Sequence, residues 1–119
     1  VFLNRLKISM KLQSCPTVIY AIKRKMNNFN LVIKRLLYKD LNTESHYNTY
    51  LYHGLPPGPI CMPEISTIDA VLNYEIHDWL YFAADVNNRN RTIFSKSYQQ
   101  HLRKSKKYKK MLDSENIYR

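Results

Sequence analysis

The stretch WLYFAADVNNRNRTIFSKS, residues 79–97, decides the predicted fold. Its first six residues are all apolar, which is typical of a short buried strand. A polar turn rich in asparagine covers residues 85–91, and residues 92–94 then begin the returning strand of a hairpin. Ser97 is a favourable N-cap residue, so a helix is predicted directly after the hairpin. A hairpin that leads into a helix favours a mixed α+β fold.

Before the hairpin, the pattern predicts short helices separated by loops. Residues 1–9 favour a few turns of helix, and a second helix is predicted from Pro16 to Met26 because proline suits the first helical position. Residues 31–41 fit either a strand followed by a helical turn or one short helix, and periodicity does not separate the two. Residues 42–65 are predicted to be mostly loop.

Two more helices are predicted in the second half of the chain. Ser66 to Asp69 has the spacing of a capping box, which predicts a short helix that ends near Tyr74. The helix capped by Ser97 is predicted to be long, because apolar residues recur along one side of it as far as Leu112. The tail, residues 113–119, is predicted to be frayed.

The composition limits the classes of function. The chain has 119 residues, a net charge of +10 and a pI near 9.7, so one domain with affinity for an anionic polymer or surface is expected. No apolar run approaches the ~18–20 residues that span a bilayer. The two cysteines lack metal-ligand spacing, so no metal site is predicted. A basic run at 103–110 leaves a small nucleic-acid-binding protein as an alternative, although no known RNA- or DNA-binding motif accompanies it.

A second unusual stretch is HGLPPGPICMP, residues 53–63, which holds both glycines and four of the five prolines. Proline fixes φ and removes a backbone donor, so this loop is predicted to be stiff. It follows Tyr47-Asn48-Thr49-Tyr50 closely. An asparagine amide and a tyrosine ring suit a sugar, which has hydroxyls at its rim and C–H groups on its faces. The alternative is an ordinary loop with an asparagine turn.

Several ordered blocks resemble one known family. They are Asn4-Arg5-Leu6, Met10 to Gln13, Pro16 to Tyr20, Tyr47 to Tyr50, Gly54 to Ile60, Tyr81 to Asp85, and Phe94-Ser95-Lys96 with His101. Together they resemble the C-terminal part of the endolytic peptidoglycan transglycosylases of the MltG (YceG-like) type, in the version found in Bacteroidetes-type bacteria. The resemblance runs from Val1 to about Leu112. It therefore implies a partial YceG-like catalytic domain over residues 1–112, with short helices, a small antiparallel hairpin and a long C-terminal helix.

The resemblance also implies a function. Members of the family cleave the bond between MurNAc and GlcNAc in nascent peptidoglycan and leave 1,6-anhydro-MurNAc ends, without a cofactor or metal. Glycan strands are the implied partner, together with cell-wall synthesis machinery, and the implied location is the periplasmic face of the inner membrane. The family's general acid, a glutamate, its membrane anchor and its LysM-like region are expected upstream of the segment that matches Val1. These 119 residues alone are therefore expected to be inactive.

Site residues follow from the matching positions. The predicted sugar contacts are Gln13, Thr17, Tyr47, Asn48 and Tyr50, and the predicted supporting loop contains Gly54, Pro56, Pro57, Gly58 and Pro59. One departure is notable, because Cys15 stands where the family usually has an aspartate. That change removes a carboxylate and a good helix cap. A non-catalytic remnant that binds the cell wall is therefore a further alternative.

Overall fold

The computed structural model of the chain describes residues 1–88 and 91–118. Within these ranges it contains four α-helices, one 3-10 helix and a two-stranded antiparallel sheet. In chain order these are α1 (Phe2–Lys7), α2 (Cys15–Lys25), the 3-10 helix (Tyr38–Asn42), α3 (Ile65–Leu72), β1 (Tyr81–Ala84), β2 (Thr92–Ser95) and α4 (Tyr98–Ser114). The predicted α+β class, with a small hairpin and a long C-terminal helix, is confirmed.

The hairpin and α4 form one packed unit. β1 and β2 pair with Tyr81 opposite Ser95 and Ala84 opposite Thr92. Directly opposite residues point to the same face of a sheet, and α4 covers the face that carries Tyr81, whose ring contacts Tyr98 at 5.9 Å between centroids. Ser97 Oγ accepts a hydrogen bond from the backbone N–H of Gln100 at 3.3 Å, so the predicted N-cap is confirmed. Residues 89 and 90 of the predicted turn lie outside the described residues.

Helix α2 supplies most of the small core. Val18, Ala21 and Ile22 are buried on it, and Ile19 beside them is half-buried. Pro16 lies in its first turn, and the last turn carries Lys23, Arg24 and Lys25. Basic side chains near a helix C-terminus are stabilised by the helix dipole, so both ends of α2 suit their positions.

The open question about residues 31–41 is answered by a 3-10 helix. Residues 31–37 have no regular structure, and Tyr38–Asn42 then form the 3-10 turn. Asp40 Oδ2 accepts a hydrogen bond from the backbone N–H of Leu37 at 2.7 Å and so fixes the start of this turn. A single side-chain bond of this kind leaves no trace in hydrophobic periodicity.

Helix α3 begins differently from the prediction. Its N-cap position is occupied by Glu64 and shows no side-chain cap hydrogen bond, so the predicted capping box of Ser66 and Asp69 is wrong. Asp69 lies inside the helix, which ends at Leu72, two residues before the predicted end near Tyr74. None of the residues of α3 is buried.

The C-terminal segment is held by one arginine. Helix α4 continues to Ser114, so the predicted frayed tail, residues 113–119, begins inside it. Arg35 Nη1 donates to Asp113 Oδ1 at 2.6 Å and to the carbonyl oxygen of Ile117 at 2.9 Å. The segment before the 3-10 helix therefore anchors the chain after α4.

The basic face of α4 is only partly free. Lys104 Nζ donates to the carbonyl oxygen of Phe94 at 2.5 Å. Lys109 Nζ donates to the hydroxyl of Tyr38 at 2.5 Å, and that hydroxyl's pKa is lowered by the ammonium group. Two of the six cations in the basic run thus have contacts within the fold. None of the helices in the described ranges is long and apolar enough to cross a membrane.

Candidate functional site

Two of the predicted site segments come together in the fold. The start of α2 and the segment 47–50 are joined through Thr49, whose hydroxyl lies 2.8 Å from Thr17 Oγ1 and accepts from the backbone N–H of Ser14 at 3.0 Å. The backbone N–H of Gln13 donates to the carbonyl oxygen of Thr49 at 3.0 Å. Thr49, absent from the predicted contacts, is therefore the residue that joins them.

Asn48 lies beneath this surface and is fully buried, with 0% of its surface exposed. Its Nδ2 donates to the carbonyl oxygens of Leu41 and Thr43 at 2.9 and 2.8 Å. Its Oδ1 accepts from the backbone N–H of Tyr50 at 2.9 Å. Since every polar group of the amide is used inside the fold, Asn48 fixes the shape of the loop and does not itself reach a ligand.

Thr17 has a similar internal role. It is 5% exposed, and its hydroxyl donates to the carbonyl oxygen of Ser14 at 2.6 Å while it also contacts Thr49. The burial of Thr17 and Asn48 is incompatible with the predicted direct sugar contacts. Both residues instead support the groups above them.

The accessible rim of the site consists of Gln13, Cys15 and Tyr50. Gln13 and Cys15 are exposed and Tyr50 is half-buried. Gln13 has a φ of 48°, in the left-handed region, which turns the chain just before α2. Cys15 Sγ lies 3.3 Å from the Tyr50 hydroxyl. Burial raises the pKa of Tyr50, and the hydrogen bond to Cys15 raises it further, so Tyr50 presents a neutral hydroxyl.

Tyr47 is at the edge of a separate cavity. Its ring lies 4.8 Å from the Tyr20 ring, and the guanidinium of Arg24 lies 5.1 Å above its centroid. A cavity of about 610 Å³ opens beside it, lined by Ala21, Arg24, Glu44, His46, Tyr47 and Pro57, among others. Tyr47 and Tyr50, three residues apart in sequence, thus contact different neighbours, and the predicted contacts divide into two places.

The proline-rich loop packs against this site. Gly54 has a φ of 78°, a conformation that side-chain-bearing residues rarely adopt. A Cβ on Gly58 would lie 3.4 Å from the Tyr47 hydroxyl, so the loop passes close to the hydroxyl end of that side chain. His53 Nδ1 lies 3.0 Å from the carbonyl oxygen of Ser9, which ties the loop to the end of α1. Pro56, Pro57 and Pro59 lie between or beside the two glycines and restrict the loop.

Arg5 is a residue that the sequence-based site prediction missed. Only 5% of it is exposed. Its Nε donates to the carbonyl oxygen of Leu80 at 2.6 Å, and its Nη1 donates to those of Leu12 at 2.7 Å and Lys11 at 3.3 Å. Its guanidinium lies 5.2 Å from the centroid of the Tyr81 ring. Arg5 belongs to the block Asn4-Arg5-Leu6, which indicated the family resemblance but was not used to predict a site residue.

His101 connects α4 to the same region. Its ring stacks on that of Tyr81 at 5.3 Å between centroids, on the side of the hairpin that α4 covers. Its Nδ1 and the hydroxyl of Ser95 are buried without a hydrogen-bond partner within the described part of the chain. Burial lowers the pKa of His101, and the positive charges of Arg5, Lys109 and Lys104 lower it further.

We predict that His101 makes folding stability depend on pH. Its folded pKa lies below the ordinary value of 6.5, so the unfolded chain binds the proton more readily. Stability is full above pH 6.5 and falls as the pH drops from 6.5 toward the lowered folded pKa. Urea titrations between about pH 7.5 and about pH 5 measure this slope. His101→Gln should reduce the slope of the free energy of unfolding against pH, whereas the exposed control His46→Gln should leave that slope unchanged. Equal slopes in the two variants would contradict the prediction.

Carboxylates occupy other positions. Glu44 accepts a hydrogen bond from the Tyr52 hydroxyl at 2.6 Å, and Asp78 pairs with Lys96 at 3.1 Å. Glu64 is exposed at the start of α3. Within residues 1–88 and 91–118, no three His, Cys, Asp or Glu side chains converge as a metal site. Cys15 and Cys61 are both exposed, and neither forms a disulfide.

Comparison with known proteins identifies the family. Residues 1–107 match the model of the YceG-like family. The chain belongs to the YceG-like family. A relative from Bacillus subtilis (strain 168), an endolytic murein transglycosylase, is 42% identical over 108 residues, which are 91% of this chain and 28% of the relative. An endolytic murein transglycosylase of Streptococcus pneumoniae serotype 2 is 35% identical over 101 residues, or 85% of this chain and 18% of that protein.

A solved YceG-like protein shares the fold. The crystal structure of lmo1499 from Listeria monocytogenes superposes with a TM-score of 0.71 at 41% identity, covering 86% of this chain and 30% of that one. The chain thus spans less than a third of the length of each of these relatives. Membership of the YceG-like family disfavours the alternative of a small nucleic-acid-binding protein. The Bacteroidetes-type detail stays a prediction.

Proposed function

We propose that this YceG-like chain forms part of the glycan-facing wall of an endolytic murein transglycosylase. The observation that carries the proposal is the locking of Gln13, Cys15 and Tyr50 onto one surface by the buried pair Thr17 and Thr49. A neutral phenol, a thiol and an amide on a rigid support can donate to and accept from sugar hydroxyls. Rigid support lowers the entropy cost of binding. The names of the relatives supply the substrate class.

The reaction needs one acid that also acts as a base. A carboxylic acid protonates the glycosidic oxygen as the bond to C1 of MurNAc breaks. The same group, now a carboxylate, accepts the proton of the MurNAc 6-hydroxyl as that oxygen bonds to C1, which gives the 1,6-anhydro ring without consuming water. We assign this acid to no residue of the chain. Glu44, Asp78 and Asp113 have other partners, and Glu64 is exposed, so it lacks the apolar setting that such an acid needs.

The roles of the site residues are then distinct. Gln13 and Tyr50 contact the sugar, and Tyr47 offers a ring edge beside the neighbouring cavity. Thr17 and Asn48 hold these groups in place. The stiff loop from Gly54 to Pro59 follows Tyr50 in the chain and supports the site from there. Murein lies outside the cytoplasm, so the site acts there, and we extend the proposal to the periplasmic face of the inner membrane. Residues 1–112 would form the C-terminal portion of the catalytic domain.

A chimera tests the proposal. The 108 matching residues of the Bacillus subtilis relative are replaced by the corresponding part of this chain. The chimera is expected to release 1,6-anhydro-muropeptides from isolated peptidoglycan, measured by liquid chromatography and mass spectrometry. Tyr50→Ala should lower the rate at least about tenfold, because it removes a ring and a hydroxyl from the sugar surface. Tyr38→Ala, on an exposed tyrosine beside Lys109, is the matched control and should leave it unchanged.

A substitution at Cys15 provides a second test in the same chimera. Cys15 is the first residue of α2 and Ser14 takes the N-cap position, so the expected loss of a helix cap at residue 15 is wrong. If the family's usual aspartate contributes negative charge here, Cys15→Asp should raise the rate of the chimera. Circular dichroism confirms that each chimera is folded. A folded chimera that releases no anhydro-muropeptides with either Cys15 or the Asp substitution would refute the assignment of this surface to the glycan.

A further inference from the structure

Helix α3 and its flanks form an exposed apolar surface. Every residue from Cys61 to Ile76 is exposed. The large apolar side chains on this surface, here named the α3 surface, are Met62, Ile65, Ile68, Val71, Leu72, Tyr74 and Ile76. Leu72 is 74% exposed and Ile76 is 95% exposed. So many neighbouring apolar groups on a folded chain mark an interaction site.

The pattern on α3 is that of a helix with a partner. Ile65, Ile68 and Leu72 recur at the spacing of one helical face. A helix of this kind normally buries that stripe, yet α3 has no buried residue. Helical stability comes mainly from such packing, so the stripe is expected to be covered when the protein acts.

The charge of this part of the chain identifies the partner's chemistry. Residues 40–88 hold seven of the nine carboxylates and not one lysine or arginine, in a chain whose net charge is +10. Around α3 the exposed carboxylates are Glu64, Asp69, Glu75 and Asp78. The cations that approach from other elements are Lys96, paired with Asp78, and Lys7, 5.8 Å from the Tyr74 ring centroid. The surface is therefore apolar at its centre and acidic at its rim.

This combination disfavours two other occupants. A helix that lies on a membrane carries lysine and arginine on its polar face and is attracted to anionic lipid, which carboxylates repel. Two copies of α3 packed on each other would place like charges together, which costs free energy. A partner with apolar side chains flanked by cations satisfies both features of the surface.

We propose that the α3 surface binds a basic amphipathic helix of another polypeptide. The apolar side of that helix covers Ile65, Ile68 and Leu72, and its cations meet Glu64, Asp69 and Glu75. A groove of about 350 Å³ continues the surface toward α1 and is lined by Ile8, Tyr74, Ile76 and Leu80, among others. It can accept a large apolar side chain from one end of the bound helix. This mode, a helix laid on an apolar face with charged flanks, recurs in peptide recognition.

A peptide with this chemistry is available from the chain itself. Residues 97–114 contain six cations and, once detached from the hairpin, the free apolar side chains of Leu102, Met111 and Leu112. The fluorescently labelled peptide is titrated with the purified 119-residue chain, and anisotropy gives the dissociation constant. Binding is expected to weaken about tenfold between about 50 mM and about 300 mM salt. A version with all six cations replaced by glutamate should not bind.

Two matched variants locate the binding site. Leu72→Gln should weaken peptide binding by about tenfold or more, because it removes a buried leucine from the complex. Leu55→Gln, at a leucine that is also 74% exposed but lies in the proline-rich loop, should change it less than about twofold. Neither change removes a buried side chain of the free protein, so both variants should fold.

The other results would overturn the proposal. They are no binding at about 100 μM peptide, equal binding of the charge-reversed peptide, or equal effects of the two leucine variants. Binding to anionic vesicles in place of the peptide would assign the α3 surface to a membrane. Self-association that Leu72→Gln abolishes, without peptide binding, would assign it to a second copy. The proposal does not depend on the proposed transglycosylase function, so the chimera can fail while this experiment succeeds.

Discussion

Arg5→Met should lower the free energy of unfolding by about 3–5 kcal/mol, a large part of the ~5–15 kcal/mol that holds a typical domain together. The guanidinium of Arg5 donates to the carbonyl oxygens of Lys11, Leu12 and Leu80. Methionine fills part of the volume but removes the donor from one buried hydrogen bond, to Leu12, and from two partly buried ones. A buried acceptor left without a donor costs about 1–3 kcal/mol. Urea titration followed by circular dichroism measures the change.

Two further variants separate the contribution of the Arg5 hydrogen bonds to stability from that of its charge. Arg5→Lys keeps the charge but lacks the fork of donors, so it should recover only part of the stability. Lys7→Met, on the exposed side of α1, removes a cation from the same helix and should have little effect. If Arg5→Met unfolded at the same urea concentration as the wild-type chain, the proposed role of Arg5 in joining α1 to β1 would be wrong.

Asn48→Ala should cost about 3–4 kcal/mol. The amide of Asn48 makes three hydrogen bonds inside the fold, to the carbonyl oxygens of Leu41 and Thr43 and from the N–H of Tyr50. Alanine leaves these partly buried backbone groups without the partner that the amide supplies. Asn48→Asp should be at least as harmful, because a carboxylate would then face two carbonyl oxygens that need a donor. Thermal and urea unfolding measure both variants.

The control for Asn48 is Asn42→Ala, since Asn42 is exposed at the end of the 3-10 helix. It should unfold like the wild-type chain. A direct sugar contact at position 48 would give a different result, with stability unchanged and glycan binding lost. A stable Asn48→Ala protein would therefore contradict the structural role given to this residue and restore the original prediction.

Local chemistry made part of the fold predictable. The hairpin, the capping role of Ser97 and the start of α2 near Pro16 depend on neighbouring residues, so the sequence contains their causes. The α3 capping box failed for a related reason. Ser66 and Asp69 have the right spacing, but the helix begins two residues earlier, where Glu64 takes the N-cap position. Spacing alone does not fix the residue at which a helix starts.

The candidate site was predictable only as a region. The blocks around Gln13 and Tyr50 meet in the fold, but the pattern could not separate groups that face outward from groups that support them. Asn48 has the chemistry of a sugar contact, and its burial depends on carbonyl oxygens of Leu41 and Thr43 that the chain brings to it. Arg5 was missed because one of its acceptors, the carbonyl oxygen of Leu80, is 75 residues away in sequence.

That separation has a consequence for how the protein folds. Asn4 donates to the carbonyl oxygens of His77 and Trp79, and Arg5 donates to that of Leu80, so α1 obtains these partners only after residue 80 has left the ribosome. The hairpin and α4, by contrast, are close neighbours in sequence and can pair as soon as they are made. Closing a loop of about 75 residues costs entropy before any contact forms. During synthesis, α1 must therefore wait until the middle of the chain is made before it can form these hydrogen bonds.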